Sequence, residues 1–325
     1  MAVMTFREAV AQVLREEMRR DPRVFLLGED IVDYGGTYGV TRGFAEEFGE
    51  KRVKDTPIAE SVIIGAAVGA AMGGLRPVAE LMNINFAMQA MDQIVNSAAK
   101  VRYMFGGQTA APVVIRTAGG SGVQLAATHS QNFEVYFAHM PGLKVAIPAT
   151  PKDAKGLLTT CMRGEDPVLF VEHAALYGTR GEVPDGEFLI PLGQAEVKRE
   201  GKDLTLISYS RMLLLVLEAA SRLGKEGIEA EVVDLRSLRP LDVVTLVASV
   251  RKTNRALMVE EDWRSFGVGA EVAARIQEEA FDDLDAPVMR VAVEEVPLPY
   301  AKNLEKLAIP NVERIIAGAK RLRGR

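Results

Sequence analysis

The 325-residue sequence has little of what metal sites and disulfide-rich folds require, since it contains one cysteine and three histidines. Cys161 alone can form neither an intramolecular disulfide framework nor a cysteine-rich metal site. No group of His, Cys and Asp residues has metal-ligand spacing, and the Gly-x-Ser-x-Gly motif of serine hydrolases is absent. These absences exclude a disulfide framework and a cysteine-rich metal site, and they argue against a serine hydrolase.

Long apolar runs and an excess of positive charge are also missing. The least polar stretch, 62–75, is too short and too rich in glycine and alanine to span a bilayer, and the first ten residues lack the apolar core of a secretory signal. A formal net charge of -5 gives no general attraction to nucleic acid or anionic lipid. With 48% hydrophobic and 26% charged residues, the composition is that of a globular protein. We therefore expect a cytoplasmic protein with neither a nucleic-acid nor a membrane partner.

Short apolar runs alternate with helical patterns along most of the chain. The pattern breaks between Tyr177 and Glu200, in a segment rich in glycine, proline and acidic residues that predicts a loop or linker. The alternation is typical of doubly wound α/β domains with mostly parallel sheets, and it predicts two of them. Strands are predicted over 24–28, 76–81, 112–117, 143–148, 167–172, 203–210, 230–235, 256–261 and 288–293. Helices are predicted over 9–20, 60–75, 85–104, 151–163, 212–225, 241–252, 267–281 and 311–322.

The predicted helix over 60–75 begins with a carboxylate, Glu60, and continues with residues that are small or apolar on all sides. We expect this helix to be buried on most faces. Its many glycine and alanine residues allow another backbone to approach closely, as at a subunit contact. Spacing alone favours a helix-start acid stabilised by the helix dipole. The alternative is a partly desolvated carboxyl group that is available for proton transfer.

A glycine-rich stretch, 119–122, follows a predicted strand. It lacks the lysine of a P-loop and the spacing of a dinucleotide-binding fingerprint, so we predict a flexible loop rather than a phosphate site. His129 comes soon afterwards, in the kind of position after a strand where α/β proteins build ligand sites. For an isolated histidine a structural role is the more frequent one, and both roles stay open at this point.

Six sequence strings, found in order, carry a resemblance to a known family. Together they closely resemble the β subunits of pyruvate dehydrogenase and of its acetoin and branched-chain 2-oxoacid relatives, from about Met4 to the end of the sequence. The strings are DTPIAES at 55–61, LRPVAELM at 75–82, NFAMQAMDQIVNSAAKVRYMFGG at 85–107, HSQ at 129–131, PGLKV at 141–145 and FGVGAE at 266–271.

The resemblance implies that residues 1–190 form a thiamine diphosphate pyrimidine-binding domain and residues 200–325 a transketolase C-terminal-like domain. It implies an α2β2 heterotetramer in which thiamine diphosphate is shared with the α subunit. The Mg²⁺ ligands of such enzymes lie on the α subunit, in a Gly-Asp-Gly motif that is absent here. This absence fits a β subunit and argues against a stand-alone transketolase.

The implied reaction is the oxidative decarboxylation of pyruvate, which leads from glycolysis to acetyl-CoA. The acyl group passes to the lipoyl group of a partner acyltransferase. An acetoin dehydrogenase or a branched-chain 2-oxoacid dehydrogenase β subunit is the alternative within the family. A non-catalytic scaffold subunit is the alternative from another class.

The same resemblance implies the site residues. Glu60 is both catalytic and cofactor-binding, because its family counterpart hydrogen-bonds N1′ of the aminopyrimidine ring and activates the cofactor. Phe86 lies against that ring, and Met82 forms an apolar wall beside it. Glu29 joins a line of acids and waters between the two cofactors. His129 lies at the mouth of the site, where it can serve the incoming substrate or the lipoyl group.

Relatives of the pyruvate type also bind a structural potassium ion, largely through main-chain carbonyl groups. The local string RGEDPV differs at two positions from the commoner family string, but carbonyl ligands survive a change of side chain. The matching positions are Val113, Cys161, Met162, Gly164 and Asp166.

Overall fold

The computed structural model describes residues 1–324, and they divide into two compact units. The first unit comprises 1–119 and 136–192, and the second comprises 120–135 and the chain from 193 onward. The segment 120–135 therefore belongs to the second unit, although it lies between two parts of the first in the sequence.

The first unit contains short strands separated mostly by helices. Its strands are β1 (Ala2–Thr5), β2 (Val24–Gly28), β3 (Val53–Asp55), β4 (Arg76–Leu81), β5 (Val114–Gly119), β6 (Lys144–Ala146), β7 (Val168–His173) and β8 (Arg180–Val183). The helices in this part of the sequence are α1 (Phe6–Arg20), α2 (Phe44–Phe48), α3 (Glu60–Met72), α4 (Val101–Met104), α5 (Glu134–Ala138) and α6 (Pro151–Arg163).

Six of these strands form a parallel sheet in the order β6-β7-β5-β4-β2-β3. β1 and β8 form a separate antiparallel pair. Because parallel strands end at the same edge, the residues that follow β2, β4, β5 and β7 meet at the edge where α/β proteins bind ligands. The parallel order confirms the predicted α/β fold of this part of the chain.

The N-terminal helix is an integral part of the first unit's core. α1 begins with a capping box, in which the Thr5 hydroxyl oxygen accepts from the Glu8 N–H at 3.2 Å and the Glu8 carboxylate accepts from the Thr5 N–H at 2.6 Å. α1 packs against α6, and Phe6, Leu14 and Leu157 are fully buried. Burial of side chains of this size contributes roughly 1.5–3 kcal/mol each.

The segment 85–104, which was predicted as one long helix, consists of short helical segments of three different types. A 3₁₀ helix spans Ile84–Ala90, a π-helix spans Gln93–Ala98, and only α4 is α-helical by itself. The Asn83 side chain accepts from the Asn85 N–H at 3.0 Å, and this local bond replaces regular α-helical pairing at the start. The prediction of a single regular helix was therefore wrong.

Two other expectations also needed correction. The segment 177–200 holds β8 and a further strand, so it is not loop throughout. α3 is not buried on most faces, because Val62 is 60% exposed and Met72 is 42% exposed. Within this chain the helix packs against β4 and the 84–98 segment, which leaves its opposite side open.

The second unit is built around a five-stranded sheet in the order β14-β13-β10-β11-β9, in which only β9 is antiparallel to its neighbour. No helix in the part of the chain that the structure describes is long and apolar enough to cross a membrane. The strands are β9 (Glu196–Arg199), β10 (Leu204–Ser208), β11 (Ala230–Asp234), β12 (Ser237–Arg239), β13 (Ala256–Trp263) and β14 (Met289–Val293). The helices are α7 (Met212–Lys225), α8 (Val243–Thr253), α9 (Val268–Ala280), α10 (Lys302–Ala308) and α11 (Val312–Leu322).

Candidate active site

The carboxyl edge of the first unit's sheet collects several of the predicted site residues. Glu29 directly follows β2, and Met82 directly follows the neighbouring strand β4. Phe86 lies in the 3₁₀ segment after β4, and that segment packs against α3, the helix that Glu60 begins. The fold thus brings segments that carry Glu29, Glu60, Met82 and Phe86 to one region of the first unit.

Glu60 is a buried carboxylate at the start of α3, with 5% of its surface exposed. Among residues 1–324, no side chain or backbone group donates a hydrogen bond to its carboxylate. The preceding residue, Ala59, gives α3 no side-chain cap. The N-terminal end of the helix favours a negative charge, and the carboxylate oxygens are not among the fully enclosed oxygens that lack a partner. This arrangement suits a group that completes its hydrogen bonding with a ligand.

Glu29 lies close enough to Glu60 for the two charges to interact. Burial, and then the negative charges of Asp30 and Glu60, raise the pKa of Glu29 above its ordinary value. Met82 and Phe86 are both half-buried, so each still has apolar surface to offer a ligand. The region therefore combines two neighbouring carboxyl groups with apolar side chains.

A buried row of charges beside these residues was not predicted from the sequence. Arg116 on β5 donates to Glu80 at 2.7 Å and to the two oxygens of Glu172 at 2.7 and 2.9 Å. The Tyr177 hydroxyl donates to Glu172 at 2.6 Å, and its ring stacks on Tyr38 at 4.5 Å. The available signal was a charged residue within each of three largely apolar strands.

These charged side chains form ion pairs with one another at the edge of the sheet. Burial raises the pKa of Glu80, although the positive charge of Arg116 opposes that shift. Glu80 and Arg116 are direct neighbours across β4 and β5. Each buried charge thus has a partner of opposite sign, which is the condition under which buried charges are tolerated.

His129 lies in an exposed turn of the second unit. Its Nδ1 is 2.8 Å from the Thr128 hydroxyl oxygen. The preceding glycine-rich stretch is an anchored loop, because the N–H groups of Ser121 and Gly122 donate to carboxylates of the same unit. Those N–H groups are therefore already engaged, which agrees with the absence of a phosphate motif.

The positions predicted for potassium lie around the end of α6. The carbonyls of Met162 and Gly164 both accept hydrogen bonds from the Arg76 guanidinium. The Asp166 carboxylate pairs with Arg102 at 2.6 Å and with Lys144 at 2.8 Å.

The remaining two potassium positions are buried. Val113 is fully buried, and burial raises the pKa of the Cys161 thiol to about 12. The thiol therefore stays protonated, and Cys161 offers its carbonyl rather than its sulfur. Across residues 1–324, no group of three or more His, Cys, Asp and Glu side chains is placed to hold a metal ion.

Comparison with known proteins assigns both units. The transketolase pyrimidine-binding domain matches residues 2–179, and the transketolase C-terminal domain matches residues 193–315. A pyruvate dehydrogenase E1 component subunit beta from Rickettsia felis is 49% identical over 319 residues, which cover 98% of this chain and 98% of the relative. The chain belongs to the family of pyruvate dehydrogenase E1 β subunits.

Other members of the E1 β family match almost as fully. The chain is 49% identical over 321 residues to the subunit beta from Rhizobium meliloti, covering 98% of this chain and 70% of that relative. It is 50% identical over 326 residues to the mitochondrial subunit beta from Drosophila melanogaster, covering 99% and 89%. These matches confirm the family that the six strings predicted.

The fold of this E1 β family member also occurs in a solved transketolase. A split-gene transketolase, described as an inactive beta4 tetramer, superposes with a TM-score of 0.82 at 26% identity. The match covers 99% of this chain and 98% of the other. It confirms the predicted two-domain α/β architecture.

Proposed function

We propose that this chain is the β subunit of a thiamine-diphosphate-dependent 2-oxoacid dehydrogenase that acts on pyruvate. The observation that carries the proposal is Glu60, a buried carboxylate without an internal hydrogen-bond donor among residues 1–324, in a chain whose relatives are named pyruvate dehydrogenase E1 subunit beta. The reaction is the oxidative decarboxylation of pyruvate, with transfer of the acetyl group to a lipoyl group.

The residues of the first unit fit the aminopyrimidine half of the cofactor. When bound, thiamine diphosphate supplies the electron sink that the decarboxylation of a 2-oxoacid requires. Glu60 would hold a proton at N1′ of the ring, a task that needs a buried carboxyl group within hydrogen-bond reach. Met82 and Phe86 would pack against the ring and exclude water, and Glu29 would couple electrostatically to Glu60. His129 would receive the substrate or the lipoyl group.

The diphosphate and Mg²⁺ would be held by an α subunit, because this sequence lacks Gly-Asp-Gly. We propose an α2β2 heterotetramer that works with a lipoyl-bearing acyltransferase. In the assembled enzyme, kcat/KM should be higher for pyruvate than for acetoin or branched-chain 2-oxoacids. A preference for either of the others would reassign the substrate. The cytoplasmic location stays a prediction, since the relatives include mitochondrial chains.

The substitution Glu60→Gln tests the proposed role of this carboxyl group in the assembled enzyme. Glutamine keeps the size and a hydrogen-bonding group but cannot exchange a proton with N1′. We expect exchange of the C2 proton of bound thiamine diphosphate, followed by NMR, and pyruvate turnover to fall by at least about a hundredfold. Cofactor affinity should change by less than about tenfold, because the diphosphate anchor lies on the other subunit.

Glu271→Gln is the matched control. Glu271 is an exposed acid in the first turn of α9, a helix of 13 residues like α3. This substitution should leave exchange and turnover unchanged and lower stability by about 0.3–1 kcal/mol through the helix dipole. Wild-type C2 exchange in Glu60→Gln, with only a lower melting temperature, would show that Glu60 is an ordinary helix-start acid.

We also propose a potassium ion at Val113, Cys161, Met162, Gly164 and Asp166. The Met162 carbonyl accepts two hydrogen bonds from Arg76, from Nε at 3.2 Å and from Nη2 at 2.8 Å. The Gly164 carbonyl accepts one and retains a second lone pair for a cation. Replacing KCl by choline chloride at constant ionic strength should lower the melting temperature of the first unit, and NaCl should restore it less well than KCl. Equal melting temperatures in all three salts would contradict the site.

A further inference from the structure

The loop that presents His129 has a strained backbone. Four alternate residues in it, Gly120, Gly122, Gln124 and Ala126, have φ values of 93°, 84°, 60° and 63°. Glycine adopts such values readily, but Gln124 and Ala126 do so at a cost of roughly 1–2 kcal/mol each. A backbone of this kind persists only where its surroundings determine it.

Two buried carboxylates of the second unit hold the loop in this conformation. Glu305 on α10 is 2% exposed, and its Oε1 accepts from the Gly122 N–H at 2.9 Å and from the Gln124 N–H at 3.3 Å. Glu261 on β13 is 5% exposed and accepts from the Ser121 N–H at 2.6 Å and from the Ser121 hydroxyl. Main-chain N–H groups that converge on a carboxylate make charge-assisted hydrogen bonds, which are about twice as strong as neutral ones.

The far end of the loop returns to the same strand. The Asn132 side-chain amide donates to the main-chain carbonyl of Glu261. Ser130, between His129 and Asn132, is fully buried. Both ends of the stretch 121–132 are thus bonded to Glu261, and Glu305 holds the residues near its start. His129 lies exposed near its far end.

We propose that Glu261 and Glu305 are positioning residues that fix the loop 121–132 and thereby place His129 for the reaction. This proposal rests on the proposed role of His129. Removal of the Glu305 carboxylate leaves two main-chain N–H groups without their acceptor, and Gln124 can then relax to negative φ. Glu305 is the better residue to substitute, because Glu261 also pairs with Arg211 at 3.3 Å and its loss would leave that cation unpaired.

The test is a double-substitution cycle in the enzyme reconstituted with its α subunit and a lipoyl domain. Glu305→Ala should lower kcat/KM for the lipoyl domain at least about tenfold, since small displacements of a reacting group have large effects on rate. In a His129→Ala background the same substitution should change kcat/KM by less than about twofold, because residues that act through one another are not additive. An equal loss in both backgrounds would overturn the positioning role.

Three further measurements separate the possible outcomes. Amide hydrogen exchange of residues 121–129 should accelerate in Glu305→Ala and remain slow in Lys306→Ala, an exposed neighbour on α10. Glu305→Gln, which keeps an acceptor oxygen, should recover part of the lost rate and serves if the alanine variant does not fold. If His129→Ala leaves turnover unchanged, the proposed role of His129 is wrong, whereas unchanged loop exchange in Glu305→Ala shows that the anchoring is wrong.

Discussion

Buried carboxyl groups occur in this chain in two different electrostatic settings. Glu172 in the first unit has Arg116 and Tyr177 as donors. Glu134 in the second unit is also buried, but its charged neighbours are the acids Asp262 and Glu261. Burial, and then the charge of Asp262, raise the pKa of Glu134 to about 8. Burial also raises the pKa of Asp262 to about 7, with a contribution from Glu260.

These raised pKa values predict how stability depends on pH. The folded second unit holds protons on Glu134 and Asp262 that the unfolded chain releases at its ordinary carboxyl pKa values, about 4. The stability that the protonated Glu134 and Asp262 side chains contribute is therefore fully present below about pH 4 and is lost as pH rises towards about 8. Each proton held only by the folded state gives a slope of about −1.4 kcal/mol per pH unit.

Glu134→Gln should flatten this dependence, because glutamine stays neutral at every pH. Urea unfolding of the second unit at about pH 5 and about pH 8 measures the difference between the variant and the wild type. Asp282→Asn, at an exposed acid of the same unit, should keep the wild-type dependence. The same slope in Glu134→Gln and in the wild type would contradict the prediction.

Close contacts between neighbouring segments require a glycine in two of the six family strings. In FGVGAE, the Glu260 carboxylate reaches from β13 to the start of α9 and accepts from the Gly269 N–H at 2.7 Å. A Cβ at Gly269 would lie 2.4 Å from the Glu260 carboxylate, so a side chain there would displace this bond. In PGLKV, Gly142 has a φ of 93°, and a Cβ there would lie 1.9 Å from the carbonyl oxygen of Ala99.

Gly142→Ala should therefore be strongly destabilising. A left-handed backbone costs an alanine roughly 1–2 kcal/mol, and the clash with the Ala99 main chain adds about 1–3 kcal/mol. Two controls separate these terms in melting experiments on the first unit. Gly107→Ala has the positive φ of 82° but open space around it, and Gly178→Ala has open space and no positive φ. We expect stability to fall in the order Gly178→Ala, Gly107→Ala, Gly142→Ala, and equal losses at 142 and 107 would contradict the clash.

Local signals account for the elements that the sequence predicted well. α6 spans Pro151–Arg163 as predicted, because Thr150 caps it, Pro151 begins it and Gly164 ends it. The pairs that were missed join distant parts of the sequence. β1 pairs with β8 from Ala2 to Val183, Arg116 pairs with Glu172, and Glu305 holds Gly122. Neither composition nor hydrophobic periodicity predicts such contacts, because no local sequence signal marks either residue of a pair.

In the candidate site, too, local features could be predicted from the sequence and long-range contacts could not. Glu60 stood out in the sequence because a conspicuous apolar helix follows it, but its spacing favoured a helix-start acid, and the family string DTPIAES pointed to the catalytic role. The structure buries that carboxylate. The surroundings of His129 could not be proposed, because Ser121, Glu261 and Glu305 lie far apart in the sequence. The exposed side of α3 could not be predicted either, because the residues of this helix are small or apolar on all sides.

On the scale of the whole molecule, the chain exposes many large apolar side chains, and two groups of them lie around α3 and α4 in the first unit. Around the start of α3, Ile58 is 75% exposed and Val62 is 60% exposed. At the end of α4, Tyr103 is 88% exposed and Met104 is 70% exposed. Apolar groups of this size are usual at obligate subunit interfaces and unfavourable in contact with water. We expect them to be covered by other subunits in the proposed α2β2 assembly.

Val62→Glu tests this expectation at the scale of the assembly. A carboxylate at the interface would be buried without a partner, which is unfavourable by on the order of several kcal/mol, whereas in the free chain it would remain in water. Co-expression with the α subunit, followed by native mass measurement, should show less heterotetramer and correspondingly weaker retention of thiamine diphosphate. Val244→Glu is the matched control, because Val244 lies in the first turn of α8 and is 81% exposed, yet it belongs to neither of these two patches. It should assemble like the wild type. Full heterotetramer formation by Val62→Glu would show that Val62 does not lie at a subunit interface.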